Sequence, residues 1–418
     1  MAAAPGAGQA VAGAGQAAPG TEQAAPAPGR AAPHAPDGPF EVTIVAHDIG
    51  PVGGMERVLS ELILGLRERG DRVNVIARTC ELPADSGVRF HRVPGPGRPF
   101  LLAYPWFVVA GSLVTARRAR GVLQVTGGIV LNRADVVSVH YCHQVGPANP
   151  SRENALYRAN IRLVRVIKRL TERAAFRRNR EAVFACVSEG VAEEVREHYP
   201  ALAPKVITIH NGVDLARFEP GRWREQAREQ RVRLGIGERQ LVALFVGGEW
   251  ERKGLRPVIE ALAQAPDWML AVAGAGDRAH FEALARSLGV DGRVRFLGVQ
   301  REVAPLYAMA DAFVLPTSYE TFSLATFEAA ASGLPLLATP VNGVSELLEP
   351  DVNGFFIDRR ADTVAAALNQ LAGDPPRMLD MGHAARRASL RFSWENTVER
   401  HRELYRRLSG GRRATPAR

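Results

Sequence analysis

The sequence predicts an α/β protein made of two parallel-sheet halves, and three observations carry that prediction. A strand, a glycine loop, a helix and a second strand follow one another between residues 41 and 77. The same alternation restarts near residue 241, after a charged segment. A short apolar strand, Ala312-Phe313-Val314-Leu315, then leads through a loop into an apolar helix bearing two glutamates, Glu320 and Glu328. Strands that alternate with helices pack as parallel sheets, because each helical crossover carries the chain back to the same end of the sheet.

Composition sets the outer bounds. A chain of 418 residues is too long for one ordinary domain. Apolar residues make up 46% of it, enough for two cores, and the net charge of +9 implies an anionic partner. Nucleic acid, a membrane surface and nucleotide phosphates all meet that description. Cys80, Cys142 and Cys186 are scattered, odd in number and without a Cys-x-x-Cys pair. That usage fits a reducing cytosol and argues against a disulfide framework or a structural zinc site.

Residues 1–38 are Ala, Gly, Pro and Gln almost throughout. They offer too little apolar surface to offset chain entropy and read as a disordered tail. They have neither the basic start nor the apolar centre of a signal peptide. The first strand spans 41–47, and the loop Gly50-Pro51-Val52-Gly53-Gly54 follows it. A helix from 55 to 69 places Val58, Leu59, Leu62, Ile63 and Leu66 on one face and stops at Gly70. Small residues ahead of a helix N-terminus let a ligand approach the backbone, although Gly53-Gly54 also serves as a plain tight turn. The second strand is 72–77, and others are expected at 122–126, 135–140, 182–187 and 206–209.

Two helices in this half stand out. The stretch 100–116 is very apolar but short for a membrane span and contains Pro105, so it reads as a buried or interface helix. The helix 156–178 repeats Arg158, Arg162, Arg165, Arg169, Arg173 and Arg177 as one basic stripe. Leu163, Ile167, Leu170 and Ala174 form the apolar stripe opposite, expected to pack inward. The basic face is either solvated or a dock for anionic lipid. His140 falls at the carboxyl end of its strand, where open α/β sheets bind ligands. His143 makes a His-x-x-His pair with it, but no further ligands complete a metal site.

The second half begins after a linker at 215–240. A strand at 241–246 is followed by Gly247-Gly248, then Arg252-Lys253-Gly254 and a helix to about residue 264. Strands at 269–273 and 294–297 come next. Gly274-Ala275-Gly276-Asp277-Arg278-Ala279 satisfies a dinucleotide fingerprint. It lies in mid-domain, however, and no acidic residue ends the following strand to hold a ribose. In the segment around Glu320, Pro316 ends the strand, and Ser318 and Thr321 supply helix-start chemistry. Glu328 then lies a little over two turns beyond Glu320, inside the helix, with Glu320 at its mouth. The amides of Thr321, Phe322, Ser323 and Leu324 are expected as free first-turn donors for an anionic group. A glutamate pair on such a turn is, taken alone, also ordinary solvated surface.

In their order along the chain these residues resemble glycosyltransferase family 4, retaining enzymes of the GT-B fold. The resemblance covers 41–408. It rests on Gly53-Gly54-Met55-Glu56-Arg57, Asn211-Gly212-Val213-Asp214, Arg252-Lys253-Gly254, the Glu-x7-Glu pair of Glu320 and Glu328, and Phe392-Ser393-Trp394-Glu395. It implies an acceptor-side domain at 39–214, a donor domain at 241–392 and a closing helix at 393–410 that crosses back. The two domains would face a central cleft. By resemblance Glu328 binds the ribose of a sugar nucleotide, and Arg252 and Lys253 neutralise its diphosphate. Gly298 and Val299 meet the base, while Glu320 and the amides of Thr321 to Leu324 hold sugar and phosphate. Gly53 and Gly54 approach the donor, and His140 lies near the reacting sugar. Many members carry Gly-Arg where this chain has Gly247-Gly248, so one phosphate contact is missing there. The implied activity needs no metal or cofactor beyond the nucleoside-diphosphate sugar. Its acceptor is a glycan or a lipid-linked molecule rather than nucleic acid, and its place the cytoplasm, with peripheral contact at an anionic inner membrane face.

Overall fold

The computed structural model describes residues 39–51, 53–97, 99–145, 155–237 and 239–413. The tail expected at 1–38 lies outside them, as does the side chain of Arg158.

The first half is a seven-stranded parallel sheet. In chain order it comprises β1 (Glu41–Val45), α1 (Gly54–Glu68), β2 (Arg72–Ala77), β3 (Arg89–Arg92), α2 (Phe100–Arg118), β4 (Val122–Thr126), β5 (Val136–Val139), α3 (Ala155–Arg178), β6 (Val183–Cys186), α4 (Glu189–His198) and β7 (Val206–Thr208). The spatial order is β3-β2-β1-β4-β5-β6-β7. Val42 pairs with Val73 on one side and Val122 on the other. These central strands are β-branched runs buried on both faces, the pattern that parallel sheets require. Helix α1 buries Val58, Leu59, Leu62, Ile63 and Leu66 as its spacing predicts. Each such side chain contributes about 1.5–3 kcal/mol of transfer free energy.

A connecting helix, α5 (Arg224–Arg233), leads to the second half. This contains β8 (Leu241–Val246), α6 (Trp250–Lys253), α7 (Leu255–Ala261), β9 (Trp268–Ala273), α8 (Arg278–Ser287), β10 (Val294–Gly298), α9 (Ala304–Met309), β11 (Ala312–Leu315), α10 (Leu324–Ala331), β12 (Leu336–Ala338), α11 (Val344–Leu347), β13 (Gly354–Phe356), α12 (Ala361–Ala372), α13 (Pro375–Ser389) and α14 (Trp394–Arg413). Its six parallel strands run β10-β9-β8-β11-β12-β13. Both sheets thus have the doubly wound order, in which the strand sequence reverses beside the first strand and opens a crevice at the carboxyl ends.

The last helix returns to the first domain. Tyr405 donates to Gln124 Oε1 at 2.8 Å, and Arg402 Nε to Asp71 Oδ2 at 2.9 Å. Gly65 of α1 faces Val398, where a β-carbon would come within 2.6 Å of the valine.

Two expectations change. Helix α10 begins at Leu324, not at Thr321, because Ser323 takes a left-handed backbone (φ 68°) as its N-cap. The stripes of α3 are also rearranged. Arg169 turns inward, donating to the carbonyls of His143 and Gln144, each at 2.9 Å. Leu163 and Leu170 face solvent instead, at 50% and 59% exposure. The cause is local: α3 lies over a polar loop and a cavity rather than over a closed apolar core, so it turns hydrogen-bonding side chains inward. Helix α2 has the inner face expected of an interface helix, with Tyr104 and Phe107 buried. No helix among the described residues is long and apolar enough to cross a membrane.

Candidate active site

The carboxyl edge of the second sheet is lined by glycine. Gly298, Gly274 and Gly247 end β10, β9 and β8 with φ of 68°, 127° and 149°. A β-carbon on Gly274 would lie 2.1 Å from the Gly247 carbonyl oxygen, and one on Gly276 would lie 2.2 Å from the Trp250 ring. The dinucleotide-like glycines therefore serve packing. Asp277 also caps α8 by accepting from the His280 amide, which puts a carboxylate where a phosphate would have to sit.

Beside that edge, α6 is a single turn ended by Gly254 at φ 81°. A β-carbon on Gly254 would lie 2.1 Å from the Pro316 carbonyl oxygen. Only glycine lets this corner close onto the loop after β11, and closure brings Arg252 and Lys253 to Glu320. Lys253 Nζ donates to Glu320 Oε1 at 2.8 Å, and Arg252 Nη1 stands 3.6 Å from the same oxygen. Arg252 also donates to the Tyr319 carbonyl at 2.6 Å and to Glu249 through Nε and Nη2 at 3.0 and 2.8 Å. Two cations here meet two carboxylates, Glu320 and Glu249, so a diphosphate would be held by Arg252 and Lys253 as it takes over those pairings.

Glu328 is buried on α10, 3% exposed. It is ion-paired with Arg57 of α1 and accepts from Tyr307 of α9 at 2.9 Å. Phe322 turns its ring into the core, stacked on Phe327 at 3.9 Å between centroids, so its side chain does not face a ligand. Ser323 spends its hydroxyl on Thr326 at 2.8 Å, and the Thr321 carbonyl accepts from Ser188 of the first domain at 2.7 Å. Val299, beyond the glycine at the end of β10, is 75% exposed.

On the first-domain side, Gly53 caps α1 with φ 98°. A β-carbon on Gly54 would meet nothing within 4 Å, so that turn is open to a ligand. His140 follows β5, and its Nε2 lies 3.1 Å from Ser138 Oγ. Burial, assisted by His401, holds its pKa down at about 4, so the ring is a neutral imidazole at pH 7. His140 lines a cavity of about 550 Å³ together with His47, Met55, Tyr104, Arg165 and Lys168. This is a first-domain cavity, and Met55 links it to the first turn of α1. That same turn reaches Glu328 through Arg57.

Several participants escaped the sequence reading. Tyr307 carries no motif, and Arg57 was legible only as part of Gly-Gly-Met-Glu-Arg. Tyr141 packs edge-on against Tyr319 across the domains at 5.4 Å. Glu172 holds the loop after β5, accepting from the His143 amide and the Tyr199 hydroxyl, each at 2.8 Å.

Two doubly wound domains with a basic corner at one sheet edge and a histidine-lined cavity at the other define a glycosyltransferase of the GT-B fold. Residues 52–217 match the profile described as Glycosyltransferase Family 4, and residues 226–388 the profile described as Glycosyl transferases group 1. The chain belongs to glycosyltransferase family 4. It is 25% identical over 378 residues to an uncharacterized glycosyltransferase of Methanocaldococcus jannaschii, covering 85% of this chain and 94% of that one. It is 33% identical over 233 residues to a D-inositol 3-phosphate glycosyltransferase of Corynebacterium aurimucosum, covering 51% of this chain. The match spans 55% of that relative, about half its length. Among solved structures it is similar in fold to WaaG, a glycosyltransferase involved in lipopolysaccharide biosynthesis, with a TM-score of 0.72 and 22% identity over 87% of this chain and 99% of that one.

Proposed function

We propose that this glycosyltransferase moves a hexose-like sugar from a nucleoside diphosphate to a glycan or lipid-linked acceptor, with retention of configuration and without a metal ion. The observation that carries the reading is the first turn of α1. It meets the acceptor-side cavity through Met55 and the donor-side carboxylate Glu328 through Arg57. Donor and acceptor groups would therefore converge at its open Gly53-Gly54 corner.

The chemistry follows from charge. Breaking the anomeric C–O bond passes through an oxocarbenium-like state while negative charge builds on the leaving phosphate. Lys253, Arg252 and backbone amides aimed there stabilise that charge as it develops. No group of three or more His, Cys, Asp or Glu side chains among the described residues is placed to hold a metal. In this reading the phosphate itself helps deprotonate the acceptor on the face it leaves, with Glu320 and neutral His140 lining the reacting sugar. Arg165 and Lys168 at the cavity wall suit an acceptor with an anionic group, as in the inositol phosphate relative. The cavity wall includes Tyr104 of α2, whose outer face is exposed and apolar, which favours an amphiphilic acceptor reached at the inner face of a membrane.

The test is acceptor-dependent release of nucleoside diphosphate across uridine, adenosine and guanosine diphosphate sugars, with and without chelator, and the product anomer read by NMR. Interconversion of the donor without transfer would point instead to an epimerase, and binding without turnover to a sugar-binding module.

A further inference from the structure

Glu328 is held from both domains at once. Tyr307, 0% exposed and edge-on to Phe218 at 5.5 Å between centroids, presents its hydroxyl to Oε2 from within the second domain. Arg57 presents Nη2 to Oε1 from α1 of the first domain. Burial opposes the charge on Arg57, but Glu328 outweighs it and the guanidinium binds its proton more firmly than usual.

We propose that Arg57 is a positioning residue for the sugar nucleotide's ribose, fixing one oxygen of Glu328 while Tyr307 fixes the other. The proposal rests on the reading that Glu328 receives the ribose. An ionised carboxylate has about four lone-pair sites, and these two donors use one on each oxygen. One acceptor site then remains on each oxygen, the arrangement that a pair of neighbouring hydroxyls needs. A carboxylate this deep without its cation would give up its charge or turn away, and a protonated one loses an acceptor. Arg57 also belongs to the acceptor-side domain, so the ribose is gripped fully only when the two domains are together.

Titration calorimetry tests the idea with whichever of UDP, ADP or GDP the wild type binds, and with its 2′,3′-dideoxy counterpart. The wild type is expected to prefer the ribonucleotide by about tenfold or more, as charge-assisted hydrogen bonds do. Arg57→Met should remove most of that preference while leaving dideoxynucleotide affinity within about twofold, and Arg57→Lys should restore part of it. A merely structural arginine would weaken both ligands alike, and that result overturns the proposal. So does an Arg57→Met protein that keeps the wild-type preference or binds the ribonucleotide more tightly. If Arg57→Met does not fold, Arg57→Gln, which retains an N–H donor without the charge, carries the same comparison. Glu328→Gln separates the two levels: if it keeps the preference, the ribose reading itself fails. If it loses the preference while Arg57→Met does not, only the role of Arg57 fails.

Discussion

Lys253 lies with its stem across Gly247 and its ammonium 2.8 Å from Glu320 Oε1. A β-carbon at Gly247 would sit 2.5 Å from Lys253 Cδ, on a backbone already at φ 149°. The glycine therefore determines where the cation can reach. Gly247→Ala is expected to destabilise by about 1–3 kcal/mol through backbone strain. It should also lower kcat, because Lys253 must leave its track. Lys253→Ala should cut kcat by roughly 10²–10³ through lost stabilisation of the developing phosphate charge. Unchanged kcat and donor KM in Lys253→Ala would refute the phosphate assignment.

The two glycines at other turns make opposite predictions. Gly254→Ala must place a methyl group against the Pro316 carbonyl at 2.1 Å, and backbone cannot yield as a side chain can. Urea unfolding should show a loss of about 2 kcal/mol or more, with turnover reduced because the Arg252-Lys253 corner opens. Gly54→Ala has free space around it and ordinary helical geometry. Its stability should stay within about 0.5 kcal/mol of wild type. A ligand that approaches this turn would nonetheless feel the added methyl, so donor KM should rise. A Gly54→Ala enzyme with wild-type KM would remove that turn from the donor site.

These contrasts mark where the sequence was legible. The central strands and α1 could be read because buried parallel strands are unbroken apolar runs and α1 repeats Val58, Leu59, Leu62, Ile63 and Leu66 on one face. Strand β3 could not, since Arg-Phe-His-Arg at a sheet edge is mostly exposed and carries no alternation. Strands β12 and β13 are three residues each, too short for a period. Arg252, Lys253 and Glu320, with Lys253 and Glu320 67 positions apart, could be brought together only through the motifs of the family resemblance. The ties of Glu328 to Arg57 and Tyr307 were not legible, since no motif couples these residues, which come from three separate helices. The inward turn of Arg169 was hidden for the same reason. Periodicity gives a helix face but not what that face lies against.

Acid should weaken the fold through its histidines. His47, His140, His143 and His401 are each held down at about 4, in every case by burial first. The folded pKa lies below the unfolded value near 6.5, so between those limits the unfolded chain binds more protons. Stability is then full above about pH 7 and is lost as pH falls toward 4, by up to about 3 kcal/mol per group. Urea melts at pH 7.5 and 5 should show this loss. His401→Asn, which removes one such group from α14, should make the slope shallower by about one proton. An unchanged slope in that variant would mean that His401 does not titrate differently in the two states.

The last prediction concerns the outer face of α2. Leu102, Trp106, Val109 and Leu113 are spaced by four, three and four residues, so they share one side of the helix, and all are more than half exposed. Arg117 and Arg118 close the same helix, and Leu163, Val166 and Leu170 are exposed along α3. Apolar side chains backed by arginines suit an anionic bilayer surface, where each basic residue near the headgroups is worth about 1 kcal/mol. The structure decides which variants test this. Arg169 is spent on loop carbonyls and Arg165 on the cavity wall, so reversing them would damage the fold or the acceptor site rather than a membrane contact. The informative variants are Val109→Glu with Leu113→Glu for the apolar face and Arg117→Glu with Arg118→Glu for the charge. In co-sedimentation with phosphatidylglycerol vesicles the wild type should bind, release with added salt, and ignore neutral phosphatidylcholine vesicles. Both double variants should lose binding while keeping the wild-type melting temperature. Wild-type protein that ignores both vesicle types at low salt would leave the α2 face without a membrane role, and a water-borne acceptor as the better substrate.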